Sequence, residues 1–153
     1  MAERPFTLES VLAVREAELE TVERDLSRIG GERSREKERT REMRRRKEEG
    51  LAFGQEDRNP ADTGFLLAWY GWLSHMDQKI GEQERREKLV EDEFERVREL
   101  WKKALMEKEK ILVLRERHRD GERRRTMRME ERSLDLWIQS RGFGRNPRDG
   151  EGS

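Results

Sequence analysis

Two histidines, His75 and His118, are the side chains of this sequence best suited to acid–base catalysis or metal binding, and cysteine is absent. The chain has no His-Glu-x-x-His motif, no Gly-x-x-x-x-Gly-Lys phosphate loop and no Gly-x-Gly-x-x-Gly fingerprint. A pair of isolated histidines without such a motif is more typical of surface or seam-edge positions than of a reactive centre. We therefore predict that the protein is not an enzyme and has no catalytic residue, metal site or cofactor.

Two basic runs, Arg44–Lys47 and Arg123–Arg125, could bind nucleic acid or an acidic protein. The chain as a whole has 35 basic and 35 acidic residues, and acidic residues flank both runs. This balance cancels the field that a phosphate backbone requires, so the sequence predicts no nucleic-acid binding. If these runs have a partner, the preference for Arg over Lys favours carboxylates, which Arg contacts in a bidentate manner.

An aromatic block, Phe65–Leu73, is the densest apolar stretch of the chain. Phe65, Trp69, Trp72 and Met76 follow one another at helical spacing and form one stripe. Two interpretations stay open from the sequence: the stripe closes the end of a helical hairpin, or it is an exposed docking patch. The block is about nine residues long, too short to span a membrane. Because the N-terminus also lacks an export signal, we expect a soluble, cytoplasmic protein without membrane insertion.

The composition of the chain predicts the secondary structure in which these residues lie. Charged residues make up 46% of the chain and hydrophobic residues only 31%, which favours long helices with a narrow buried stripe. Apolar residues recur with alternating spacings of three and four in both halves of the chain. In the first half of the chain the pattern places these residues in the seam, which weakens after Ile29 at Arg33, Glu36 and Thr40: Leu12, Leu19 and Leu26 in one row, and Arg15, Val22, Ile29, Glu36 and Met43 in the other. In the second half the two rows are Leu66, Leu73, Ile80, Glu87, Phe94 and Trp101, and Trp69, Met76, Gln83, Val90, Val97, Ala104 and Ile111.

The predicted fold is all-α: a long antiparallel two-helix coiled-coil hairpin with a C-terminal helical overhang, forming one domain over residues 1–153. Its predicted parts are helix 1 at 6–49, a connection at 50–63, helix 2 at 64–140 and a disordered tail at 141–153. Glycines in the connection place the turn near residues 56–57, so that paired residue numbers sum to about 113. In this register Leu19 lies opposite Phe94.

The sequence resembles the flagellar export protein FliJ family, whose members are small coiled-coil components of the flagellar type III export apparatus. The similarity lies in the opening Phe6-x-Leu8, the aromatic block, Leu100–Leu105, Glu107–His118 and the closing Glu130–Asp135. It covers about residues 6 to 140 in order and spacing. The glycine pair at 30–31 and the tryptophan content depart from a typical member.

The resemblance implies a stalk-like coil similar to the central stalk of rotary ATPases. Such a protein binds the hexameric export ATPase, promotes its assembly and activity, and links it to the export-gate membrane protein and to export chaperones. It acts as a monomer in the cytoplasm, peripheral to the inner membrane at the flagellar basal body. Two alternatives remain from the sequence: a generic coiled-coil scaffold, and the equivalent stalk of a virulence type III secretion system.

Carried over by position, the resemblance assigns two groups of contact residues. The implied ATPase-ring contacts lie near both chain ends: Leu8, Leu12, Val14, Leu112, Leu114, Leu134 and Trp137. The implied export-gate contacts are the aromatic stripe: Phe65, Trp69, Trp72 and Met76.

Overall fold

The computed structural model describes residues 4–56 and 62–143. These residues form two α-helices and no strands, α1 (Glu9–Glu56) and α2 (Thr63–Phe143), which pack against each other in antiparallel order. The predicted all-α helical hairpin is therefore confirmed. Contacts divide the chain into two compact units: unit 1 contains Met1–Arg15 and Glu107–Ser153, and unit 2 contains Glu16–Met106.

Both helices extend further than the sequence predicted. Helix α1 begins at Glu9 rather than at residue 6. It continues past residue 49 to Glu56, so residues 50–56 of the predicted connection are helical. Gly30 and Gly31 lie within the helix, which is continuous through them. Helix α2 begins at Thr63, where the Asp62 carboxylate accepts a 3.0 Å hydrogen bond from the Phe65 amide, and ends at Phe143. The tail at 141–153 was expected to be disordered, but residues 141–143 are helical; the rest of this prediction, for 144–153, lies outside the described residues.

The register of unit 2 differs from the prediction. Gly30 faces Phe94, Arg33 pairs with Glu91, and Lys47 pairs with Asp77, so the residue numbers of each pair sum to 124 rather than about 113. The predicted pairing of Leu19 with Phe94 is wrong. Part of the cause is the longer α1: the helices end at Glu56 and begin at Thr63, which places the midpoint between them later in the sequence than the predicted turn near 56–57. The shift of about eleven residues is one heptad plus four, which keeps the two apolar rows facing each other.

The core of unit 2 is a narrow seam with a polar layer near its middle. Leu19, Ile29, Met76, Ile80 and Val97 are its buried apolar side chains. Between the two apolar ends lie Thr40 and Gln83, each with only 2% of its surface exposed. This seam matches the predicted rows, because period alone determines which side of each helix is buried.

The polar layer is held by hydrogen bonds between the two helices. The Thr40 hydroxyl donates to a Glu87 carboxylate oxygen at 2.7 Å. The Gln83 amide donates to the Glu36 carboxylate at 2.5 Å and to its backbone carbonyl at 3.2 Å. Buried polar groups that find partners in only one alignment oppose slippage of the two helices.

Unit 1 packs the start of the chain against α2. Leu12 is buried, and the Phe6 ring lies 5.6 Å from the His118 ring, centroid to centroid. His118 Nε2 lies 2.9 Å from the Arg4 carbonyl oxygen, and Arg115 pairs with Glu9 at 3.8 Å. From residue 130 to residue 142 every side chain of α2 is exposed, as the predicted overhang requires. Neither α1 nor α2, over its described length, is long and apolar enough to cross a membrane.

Candidate functional site

The aromatic block packs against two glycines of α1. A Cβ atom on Gly50 would overlap the Trp72 indole, and one on Gly54 would overlap the Trp69 indole. The Trp69 Nε1–H group donates a 2.9 Å hydrogen bond to the Gly50 carbonyl oxygen. The glycines therefore serve close approach between helices, and the turn lies beyond them, which explains why α1 continues to Glu56.

A groove of about 500 Å³ lies beside these tryptophans, and we call it the tip groove. Its lining combines apolar side chains, the small residues Gly50 and Ala68, and two charged residues: Arg46, Glu49, Gly50, Phe53, Phe65, Ala68, Trp69 and Trp72. The Phe53 and Phe65 rings are 6.4 Å apart at one side of it. Phe53 is 56% exposed, so the groove has an apolar edge open to solvent.

The predicted export-gate residues lie in two environments. Phe65, Trp69 and Trp72 are half-buried and line the tip groove, whereas Met76 is 8% exposed and belongs to the core. The stripe thus closes the hairpin end for most of its surface and leaves part of its aromatic area accessible. Within the aromatic block, Phe65–Leu73, the most exposed apolar side chains are Leu67 at 75% and Tyr70 at 55%, and both were outside the predicted set. The sequence pattern places both residues outside the buried seam, and this signal could have identified them as exposed.

The predicted ATPase-ring residues of unit 1 also differ in exposure. Leu12 is buried, and Leu8 and Leu112 are half-buried. The other four expose about half of their surfaces: Val14, Leu114, Leu134 and Trp137. The structure therefore separates residues that hold unit 1 together from residues that a partner could reach.

The end of α2 carries an exposed apolar cluster, which we call the C-terminal patch and define as Leu134, Trp137 and Ile138. Their exposed fractions are 56%, 52% and 54%, and their spacing places them on one side of the helix. The Arg141 guanidinium lies 4.3 Å from the Trp137 ring centroid. All three residues lie in the overhang from Leu112 to Ile138 that the family resemblance implies as part of the ATPase-ring contact.

The four titratable groups of the described residues whose pKa is shifted, Arg44, Glu91, Glu93 and Arg96, all lie in ion pairs of the hairpin. Arg33 Nε donates to Glu91 at 2.5 Å and holds the pKa of that carboxyl below its ordinary value. His118 packs on Phe6, and His75 is exposed elsewhere on α2. No group of three potential metal ligands occurs in residues 4–56 and 62–143. The geometry of the described residues therefore offers packing surfaces as its functional features.

Comparison with known proteins agrees with this picture. No similar protein was found among curated proteins, and none among solved structures. The model of one family, described as Flagellar FliJ protein, matches residues 4–148, nearly the whole chain. That family consists of structural components of export and is not known as a family of enzymes. The chain therefore belongs to the FliJ family, which makes it a component of the flagellar export apparatus.

Proposed function

We propose that this protein binds the hexameric ATPase of the flagellar export apparatus, promotes its assembly and activity, and links it to the export-gate membrane protein and export chaperones. In this function it acts as a cytoplasmic monomer, peripheral to the inner membrane at the basal body, and without nucleic-acid binding. The observation that carries the proposal is the C-terminal patch in a chain of this family.

The C-terminal patch supports binding to the ATPase ring, because burial of its exposed apolar side chains by a partner is favourable. Its three large apolar side chains each expose about half of their surface on a helix segment with no packing partner among the described residues. Contiguous apolar surface of this kind marks interaction sites, and tryptophan is enriched among residues that dominate binding energy. Val14 and Leu114, which also belong to unit 1, add further exposed apolar surface to this unit.

The tip groove supports a second contact, with the export gate. Three of the four residues that the family resemblance implies, Phe65, Trp69 and Trp72, line it. A groove with aromatic walls and an open apolar edge is suited to accept an apolar side chain of a partner. The tip groove lies in unit 2 and the C-terminal patch in unit 1, so each contact can be abolished separately.

The ring contact is tested with the purified export ATPase of the same organism. Wild-type protein is expected to raise its ATP hydrolysis rate. Replacing Leu134 and Trp137 together by alanine should weaken the apparent affinity about thirtyfold, since loss of an aromatic anchor costs roughly 2 kcal/mol. Leu89→Ala is the matched control, because Leu89 is 70% exposed and lies in unit 2.

Two results would contradict the proposal. One is an ATP hydrolysis rate that wild-type protein leaves unchanged at any ratio to the ATPase. The other is equal weakening by Leu89→Ala and by the double variant, which would mean that the C-terminal patch has no special part in binding.

The gate contact is tested by binding to the purified cytoplasmic part of the export-gate protein. Phe65→Ala should reduce this binding and leave the stimulation of the ATPase intact, because Phe65 lines the tip groove and is not one of the rings that Gly50 and Gly54 contact. Leu89→Ala again serves as the control for loss of an exposed apolar side chain. Unchanged binding by the Phe65 variant would place the gate contact elsewhere.

A further inference from the structure

One side of α1 forms a groove whose walls are the stems of arginine side chains. The groove measures about 470 Å³, and we call its lining the arginine flank: Arg35, Glu38, Arg39, Glu42, Met43 and Arg46. Arg35, Arg39, Glu42 and Arg46 follow one another at spacings of four, three and four, and Glu38 and Met43 lie beside this row, which puts all six on one face of the helix. The aliphatic parts of the arginines, together with Met43, give the groove apolar walls beneath a charged rim.

This part of α1 has far more positive charge than α2 neutralises. Residues 33–47 contain nine basic and three acidic side chains, a net charge of +6. Four of the nine cations form ion pairs with acidic residues of α2: Arg33, Lys37, Arg44 and Lys47. Those pairs lie along the contact between the helices and involve three carboxylates of α2, Glu84, Glu91 and Asp77, which leaves a net charge of +3 for the other sides of α1.

The arginines of the flank are accessible, and among the described residues the ion pairs that Arg39 and Arg46 form are with neighbours on α1 itself. Arg39 pairs with Glu36 at 2.8 Å, and Arg46 pairs with Glu42 at 3.4 Å. Their side chains remain 60% and 67% exposed. Ion pairs this exposed contribute little and are easily exchanged for a better partner.

We propose that the arginine flank docks an acidic helix of a protein partner, which adds a third helix beside α1. Arg35, Arg39 and Arg46 follow one another over eleven residues, roughly 16 Å of helix at 1.5 Å per residue. A helix with carboxylates at the same spacing places one carboxylate at each guanidinium. An apolar side chain at its centre packs on Met43 between the arginine stems.

The composition of the flank favours a protein over a nucleic acid. Glu38 and Glu42 alternate with the arginines and repel a continuous phosphate backbone. None of the six lining residues is aromatic, so the groove has no surface on which bases can stack. A partner helix can instead place its own polar or basic residues opposite the two glutamates, while its carboxylates take bidentate contacts with the arginines.

The test uses a synthetic helix-forming peptide with glutamates spaced as Arg35, Arg39 and Arg46 are, a central leucine, and a fluorescent label. Binding to the full chain is measured by fluorescence anisotropy at increasing salt. The triple variant R35Q/R39Q/R46Q should lower the affinity about tenfold, as expected for three exposed charge pairs, and should reduce the salt dependence. R85Q/R86Q/R98Q is the matched control, since it removes the same charge from exposed positions of α2 and should change the affinity less than about twofold.

The central contact is tested separately with Met43→Gln. This variant should weaken the leucine peptide and leave a peptide with alanine at the centre unaffected, since only the former packs on Met43. The proposal is overturned if the glutamate peptide does not bind at low salt, or if the control triple variant weakens it equally. Tighter binding of a single-stranded DNA oligonucleotide at the same salt would assign the flank to nucleic acid and overturn it as well.

Discussion

Alanine substitutions at four glycines should divide into two classes with opposite effects on stability. In the interior of a helix, alanine is favoured over glycine by about 0.8–1.0 kcal/mol. A Cβ atom at Gly71 or Gly81 meets no other atom within 4 Å, so Gly71→Ala and Gly81→Ala should stabilise the fold by about 1 kcal/mol each. At Gly50 and Gly54 the same atom would overlap a tryptophan ring.

The expected cost at Gly54 is the larger of the two. Overpacking a tight contact costs about 1–3 kcal/mol. Displacement of the Trp69 ring also lengthens its hydrogen bond to the Gly50 carbonyl, which contributes about 1 kcal/mol. After the helical preference of alanine is subtracted, Gly54→Ala should destabilise the fold by about 1–3 kcal/mol. Gly50→Ala disturbs the Trp72 ring but leaves that hydrogen bond in place, so its cost should be about 1 kcal/mol lower.

Urea unfolding followed by the circular dichroism of the helices measures all four changes, and tryptophan fluorescence reports on the rings. Gly54→Ala should lower the free energy of unfolding and shift the emission of the tryptophans, whereas Gly71→Ala should raise it without a shift. If Gly54→Ala stabilised the protein as much as Gly71→Ala does, the close contact between α1 and the tryptophans would be refuted, together with the register that depends on it.

Three further predictions concern other contacts. The Arg33 hydrogen bond lowers the pKa of Glu91. The stabilisation that this ion pair contributes is therefore present above the ordinary pKa of 4.5 and is lost as pH falls through the lowered pKa. In an acid titration, the difference in unfolding free energy between wild type and Glu91→Gln should shrink over the same pH range. Thr40→Val removes the buried donor to the Glu87 carboxylate and should cost about 1 kcal/mol in urea unfolding, whereas unchanged stability would argue against the polar layer. Phe6→Ala should speed amide hydrogen exchange at the start of α1 and leave unit 2 unaffected, and equal acceleration in both units would contradict the local role of this ring.

The sequence predicted which residues form the seam because burial in a two-helix coil follows a single period. The six buried apolar residues in the described part of the chain all lie in the predicted rows: Leu12, Leu19, Ile29, Met76, Ile80 and Val97. The buried Thr40 and Gln83 lie there as well, although both are polar. Heptad spacing decides such positions regardless of residue type, which is why the polar layer did not disturb the prediction.

The register could not be predicted from the same pattern. Any shift that keeps the two rows opposed buries similar apolar area, so the location of the turn decides among registers. Gly50 and Gly54 suggested a turn, since glycine is common in turns, but here they make room for Trp72 and Trp69. Sequence spacing does not distinguish these two uses of glycine.

The surfaces open to partners depended on the register and were therefore only partly predictable. The basic run Arg44–Lys47 appeared as one feature in the sequence, yet Arg44 and Lys47 pair with α2 while Arg46 belongs to the arginine flank. Met76 was expected at a contact surface and is part of the core. In each case, whether a residue is accessible to a partner depends on which side of its helix packs against the other helix of the hairpin.

The distance between spin labels at Asp25 and Arg96 tests the hairpin and its register most directly. These exposed residues lie within electrostatic range of each other across the two helices of unit 2, and the chain has no cysteine of its own to interfere with labelling of D25C/R96C. Pulsed electron paramagnetic resonance, with excess unlabelled protein present, should give a single short distance within one chain. The register with a sum of about 113 would displace the labels by about 12 Å along the helix axis, and one straight helix would separate them by roughly 105 Å. A distance longer by about 12 Å would contradict the register, whereas the straight-helix distance, or a short distance that unlabelled protein abolishes, would contradict the antiparallel hairpin itself.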